Sequence, residues 1–143
     1  PGYLSQEQEI LDPGRKVLES IQKMTGMGNH TEARSFLHRF LFKGDEVFQS
    51  IDTLSYGQRS RLMLALLVAD NCNFLLLDEP LNHLDLASQE AFESALSSFE
   101  GTILAIAHDR YFIEGFAQVI WEFTPQGLSV ELTRETVKRI MES

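Results

Sequence analysis

The chain has 143 residues, 43% of them hydrophobic and 23% charged, and its 12 Lys and Arg against 21 Asp and Glu leave a net charge of −9. This composition excludes a disordered chain, and the acidity excludes a polybasic membrane anchor and a domain that wraps nucleic acid on its own. The single cysteine, Cys72, excludes an internal disulfide and points to a reducing, cytoplasmic setting, and no apolar run nears the roughly 20 residues of a spanning helix. The length is that of one domain. The charge is lopsided: residues 1–70 carry net −1 and residues 71–143 net −8. Opening on Pro1 rather than Met, the sequence reads as a piece of a longer protein.

In chain order, Gly2–Ser5 reads as a short strand running into Gln6-Glu7-Gln8-Glu9. Asp12-Pro13 reads as an N-cap with Pro at the first helical position, followed by Val17, Leu18, Ile21 and Met24 at helical spacing. Gly26, Gly28 and Asn29 break that helix. Thr31 caps a second one, with Ala33, Phe36, Leu37, Phe40 and Leu41 as its stripe, ended by Lys43-Gly44-Asp45. Ser55 and Gln58 match a capping box and open a helix to about Ala69. Asn71-Cys72-Asn73 is a turn. Phe74–Leu77 is an unbroken apolar run, the mark of a strand buried on both faces. Ser88–Phe99 is helical and Gly101 stops it. Thr102–Ala107 is a second buried strand, Asp109–Phe116 a short helix, and Val119–Phe123 with Leu128–Leu132 a hairpin closed by Thr124-Pro125-Gln126-Gly127. Arg134–Met141 is a weak terminal helix. Strands alternating with helices predict an α/β fold with a mostly parallel sheet.

The strongest chemical signal is Phe74-Leu75-Leu76-Leu77-Asp78-Glu79-Pro80. The run buries a strand and then presents two adjacent carboxylates at its C-terminal end, where open α/β sheets bind ligands. One carboxylate can hold Mg²⁺ through water, and its neighbour can orient or deprotonate an attacking water. Alone, the pair would also fit simple helix capping. It is accompanied by Leu54-Ser55-Tyr56-Gly57-Gln58 upstream, Asn82-His83-Leu84-Asp85 just after, and Ile106-Ala107-His108-Asp109-Arg110 beyond.

Together these residues resemble the ATP-binding cassette ATPases. Leu54–Gln58 is similar to their signature motif, Phe74–Glu79 to Walker B, Asn82–Asp85 to the D-loop, His108 to the switch histidine and Gln6 to the Q-loop glutamine. Asn82–Asp85 joined to His108-Asp109-Arg110-Tyr111-Phe112 resembles the F subfamily, soluble tandem cassettes of which several act on the ribosome in translation or antibiotic resistance. The resemblance implies a P-loop NTPase-like, mostly parallel sheet with an inserted helical subdomain. It divides the chain into a Q-loop strand at 1–6, the helical subdomain at 7–54, the signature helix and core at 55–132, and a tail or linker start at 133–143.

The implied roles follow residue by residue. Asp78 and Gln6 hold Mg²⁺, largely through water. Glu79 polarises the attacking water, and His108 contacts the γ-phosphate; these two are the catalytic pair. Gln6, Ser55, Tyr56, Gly57, Gln58 and Asp85 form the nucleotide-binding set, with Ser55 and Gly57 clamping the γ-phosphate held by an opposing cassette and Asp85 bridging the two cassettes. The implied cofactor is Mg-ATP. Two residues depart from the pattern: Leu81 stands where Thr is usual and Tyr56 where Gly is usual. Plainer readings stand beside these. Ser55 and Gln58 are also a capping box, His83 is a spacer, His30 and His38 face solvent, and Trp121 and the Phe residues are core.

No G-x-x-x-x-G-K-[ST] occurs in the sequence, so the phosphate-cradling nest and lysine are not encoded in it. The chain therefore reads as the second part of one cassette. Its expected partners are the N-terminal part of that cassette and a second cassette set head to tail, with the ribosome a partner of the parent and no membrane segment. The isolated chain is expected neither to bind ATP tightly nor to hydrolyse it. Without the P-loop strand, Ile103, Leu104 and Ile106 would lie on an open sheet edge, inviting self-association. Three rival readings remain: the nucleotide-binding half of a transporter, a chromosome-architecture ATPase head lobe, and a non-catalytic scaffold. The head lobe is disfavoured because Gln6 and Ser55 share one short segment and no heptad run appears.

Overall fold

A computed structural model of the chain describes residues 1–4 and 11–132. It contains two compact units, one ending at Ile106 and one beginning at Ala107.

The first unit is built on three parallel strands, β1 (Gly2–Leu4), β2 (Phe74–Asp78) and β3 (Thr102–Ile106), with β2 in the middle. Between β1 and β2 come the helices α1 (Val17–Thr25) and α2 (His30–His38), two short 3-10 turns at Gly44–Phe48 and Ile51–Thr53, and the long helix α3 (Tyr56–Ala69). Helix α4 (Leu86–Ser97) connects β2 to β3. The register sets Leu4, Leu77 and Ala105 in one row across the sheet and Tyr3, Leu76 and Leu104 in the next. Successive rows face opposite sides.

Leu4 and Leu77 are buried, as is Leu75 two rows earlier on the same face, while Tyr3 and Leu104 in the row between are exposed. The expectation that the Phe74–Leu77 run is buried on both faces is thus corrected: Leu75 and Leu77 are fully buried, and Phe74 and Leu76 only half-buried. Helix α3 packs against β1 on the buried side. A Cβ on Gly2 would stand 2.8 Å from Leu67 Cδ2 and 3.2 Å from Leu75 Cδ2, so glycine lets that strand approach the helix. The expectation of a second buried strand at Thr102–Ala107 is corrected as well: β3 is an edge of this sheet among the described residues, with Leu104 and Ile106 exposed and none of Thr102–Ile106 buried.

Helix α3 is the central element of the helical layer. Leu62 to Leu66 are all buried, which is burial around the whole circumference, because α1 and α4 also pack on it. Around it Val17, Ile21, Leu37, Phe40, Phe42 and Phe92 fill the core.

Helix α4 starts at Leu86, two residues before the expected Ser88, and the starts of α1 and α2 also differ from expectation. Helix α1 starts at Val17, not near Pro13, because Asp12 forms a turn instead: its Oδ1 accepts from the Gly14 amide at 3.1 Å and its carbonyl from the Arg15 amide at 3.1 Å. The chain then bridges to Ser50 at Lys16 before the helix can begin. Helix α2 is capped by Asn29, whose side chain accepts from the Thr31 amide at 2.9 Å, so Thr31 lies one residue inside. His30 and His38 are exposed, as read.

The second unit has α5 (Arg110–Phe116), capped by Asp109, and an antiparallel hairpin of β4 (Val119–Thr124) and β5 (Gly127–Leu132). Gly127 sits at φ 127°, which explains glycine at the closing turn. Trp121 and Phe123 are not core: they are 55% and 81% exposed and lie on one face of the hairpin with Val119, Leu128 and Val130. In the first unit Phe48 is also exposed. The predicted helix at Arg134–Met141 lies outside the described residues. Among the described residues no helix is long and apolar enough to cross a membrane.

Candidate functional site

The paired carboxylates sit at the C-terminal end of the central strand. Asp78 is the last residue of β2, paired in register with Ile106, and is half-buried. Glu79 leaves the strand at φ 47°, in the left-handed region that a side chain makes costly. The amide of Glu79 donates to the Ile106 carbonyl at 2.8 Å, which pins this strained residue to the neighbouring strand. Strain held by neighbouring structure is typical of functional positions. Pro80 and Leu81 then turn inward and are buried. Leu81 therefore contributes to the core, a physical reason for an apolar residue at that position.

The second cluster joins two helix N-termini. Ser55 caps α3 by accepting from the Gln58 amide at 3.2 Å, and the Gln58 side chain accepts from the Ser55 amide at 2.9 Å. Asp85 caps α4 by accepting from the Ser88 amide at 3.3 Å. The two caps are neighbours: a Cβ on Gly57 would lie 3.0 Å from Ser88 Oγ and 3.4 Å from Asp85 Oδ1. Hydrogen bonds from Ser88, with a smaller pull from Arg61, hold the Asp85 carboxyl below the usual carboxylate value. Asp85 thus stays ionised beside two positive helix ends.

Sequence reasoning missed Arg61, Ser88 and the role of His83. Arg61 donates to the Phe40 carbonyl at 3.0 Å and lies over the Phe42 ring at 5.3 Å, tying α3 to the end of the helical segment. Burial pushes its guanidinium below the ordinary value, opposed by Asp85 and Glu46. Ser88 was findable as the third residue after a capping Asp. His83 meets the Tyr56 ring edge-on, with centroids 6.0 Å apart, a contact no local spacing announces. Burial pushes the Cys72 thiol up, which disfavours it as a nucleophile.

The structure thus gathers Ser55, Tyr56, Gly57, Gln58 and Asp85 at one junction and places Asp78 and Glu79 at the end of β2. His108 belongs to the second unit, immediately before the Asp109 cap. Gln6 lies outside the described residues. No group of three or more metal-binding side chains occurs among the described residues. Asp78 with Glu79 beside it fits Mg²⁺, which takes one or two carboxylates and fills its shell with water and phosphate oxygens.

Comparison with known proteins gives the family and the fold. The model of the family described as "ABC transporter" matches residues 1–82. The YdiF protein of Bacillus subtilis is 43% identical over 123 residues, covering 86% of this chain and 19% of that protein. ABC transporter F family member 5 of Arabidopsis thaliana is 36% identical over 115 residues, covering 80% of this chain and 17% of that protein. The chain thus spans about a fifth of the length of these curated relatives. Among solved structures, a dimeric ATP-binding cassette in a post-hydrolysis state with ADP and Pi superposes with a TM-score of 0.73 at 21% identity, covering 93% of this chain and 62% of that one, and supports the fold alone. A family match over more than half of the sequence, a parallel α/β core, and relatives of F type lead to one assignment: the chain belongs to the ABC transporter family of ATP-binding cassette domains.

Proposed function

We propose that this chain is the Walker B half of an F-type cassette, and that its parent hydrolyses Mg-ATP at the interface between two head-to-tail cassettes. The observation that carries the reading is the end of β2, where Asp78 closes the strand and Glu79 is held in a left-handed conformation by the Ile106 carbonyl. Asp78 and Gln6 hold the metal, largely through water. When bound, Mg²⁺ neutralises the charge that develops on the phosphates. Glu79 orients the water and accepts its proton, and His108 contacts the γ-phosphate. Ser55, Tyr56, Gly57 and Gln58 present the N-terminus of α3 to the nucleotide of the opposing cassette, where the helix dipole favours an anion. Asp85 bridges the cassettes. Residues 7–54 form the inserted helical subdomain and 55–132 the core that carries the motifs.

Binding and partners are tested separately. Titrating Mg-ATP into the purified 143-residue chain is expected to give no tight binding, because its sequence encodes no phosphate cradle; micromolar affinity overturns that part. The parent is proposed to act on the ribosome. With Mg-ATP it is expected to co-sediment with ribosomes rather than membrane vesicles. Recovery with the membranes alone would point to the transporter reading.

A further inference from the structure

We propose that Tyr56 is a positioning residue that clamps the first turn of α3 to the 82–85 turn through His83, so that the two segments move as one body. The inference deepens the cassette reading and rests on it for its consequence: both segments are the ones offered to the opposing cassette.

The clamp stands on two contacts between the segments and one cap beside them. First, the Tyr56 ring and the His83 imidazole meet at 6.0 Å with planes at 87°, the edge-to-face arrangement that aromatic pairs favour. Second, the Gly57 backbone touches the start of α4: an added Cβ would stand 3.0 Å from Ser88 Oγ. Third, Asp85 caps α4 at that same junction. One side of the junction is strained. His83 sits at φ 61°, a conformation disfavoured for a side-chain-bearing residue. The turn carries backbone bonds from the Asn82 amide to the Glu79 carbonyl at 3.0 Å and from the Leu84 amide to the Leu81 carbonyl at 3.3 Å, and the Gln89 side chain donates to the Leu84 carbonyl at 3.4 Å. The ring of Tyr56 reaches this left-handed turn from α3 and packs on its His83. The usual signature glycine at position 56 has no ring and would leave this contact unmade. The first of those bonds ends on the Glu79 carbonyl, which accepts from Asn82, so the turn also connects backward to the end of β2.

Hydrogen exchange and turnover of the intact protein test the clamp together. The Asn82 and Leu84 amides report opening of the turn, because both are bonded within it. Tyr56→Ala and His83→Ala are each expected to speed exchange at these amides roughly 3- to 10-fold, the size of one aromatic pair. The double variant is expected to add little beyond either single one. Tyr56→Phe, which keeps the ring, is expected to restore protection, and kcat should follow the same order while KM stays nearly fixed. Unchanged exchange in both alanine variants, additive effects in the double variant, or failure of phenylalanine to rescue would each overturn the clamp. His83 is exposed, so His83→Ala probes the contact even if Tyr56→Ala unfolds the helix start. Absence of ATP turnover in the unmodified intact protein would instead overturn the cassette reading, leaving the exchange result to decide the clamp.

Discussion

Glu79→Gln in the intact protein is expected to lower ATP turnover by roughly 10²- to 10⁴-fold, the range that a positioned general base contributes. Glutamine matches glutamate in size, so the backbone at φ 47° and the 2.8 Å bond from the residue-79 amide to Ile106 should persist. The amide side chain can still hydrogen-bond a water but cannot accept its proton at neutral pH. Binding should therefore survive while chemistry stops, and the variant should accumulate in an ATP-bound, closed state. Turnover kinetics with a nucleotide-retention assay check this. Turnover near that of the unmodified protein would remove Glu79 from the mechanism.

The largest expected effect on stability lies away from the chemistry, at Gly101. A Cβ there would fall 2.4 Å from the Asn73 carbonyl oxygen and 2.5 Å from Phe99 Cε1. The carbonyl cannot yield easily, because it accepts the Thr102 amide at 2.9 Å and so starts the pairing of β2 with β3. Gly101→Ala is expected to cost about 2–3 kcal/mol, as forced overpacking does. For a chain of this size that is a fall in Tm of roughly 4–12 °C. Gly115→Ala is the control, since nothing lies within 4 Å of its added Cβ. Equal melting temperatures for the two variants would show that the backbone at 101 can relax.

Much of this was legible because it is local. A capping box is a four-residue pattern, and Ser55 with Gln58 opens α3 where the spacing places it. An apolar run ending in two acids marks β2 and its rim equally well. The misses share a cause: they depend on what comes from elsewhere in the chain. Asp12-Pro13 has helix-start chemistry, yet the bridge at Lys16 delays the helix until Val17. Phe74–Leu77 has the composition of a doubly buried strand, but α3 packs on the Leu75 side and the other face stays partly open. Trp121 and Phe123 look like core by type and lie exposed on a two-stranded ribbon. The meeting of Tyr56 with His83 joins residues far apart in sequence and leaves no period to read. Nor does a sequence announce backbone sign: nothing in the letters marks Glu79 as left-handed.

That left-handed residue has a consequence for anyone who redesigns the protein. At φ 47° the backbone of position 79 suits glycine or asparagine better than glutamate. A procedure that ranks substitutions by folding stability alone would therefore replace the acid among its first choices and report an improvement. Under the proposed mechanism, a position on the rim of β2 where folding stability favours another residue is also one whose replacement is expected to stop ATP turnover.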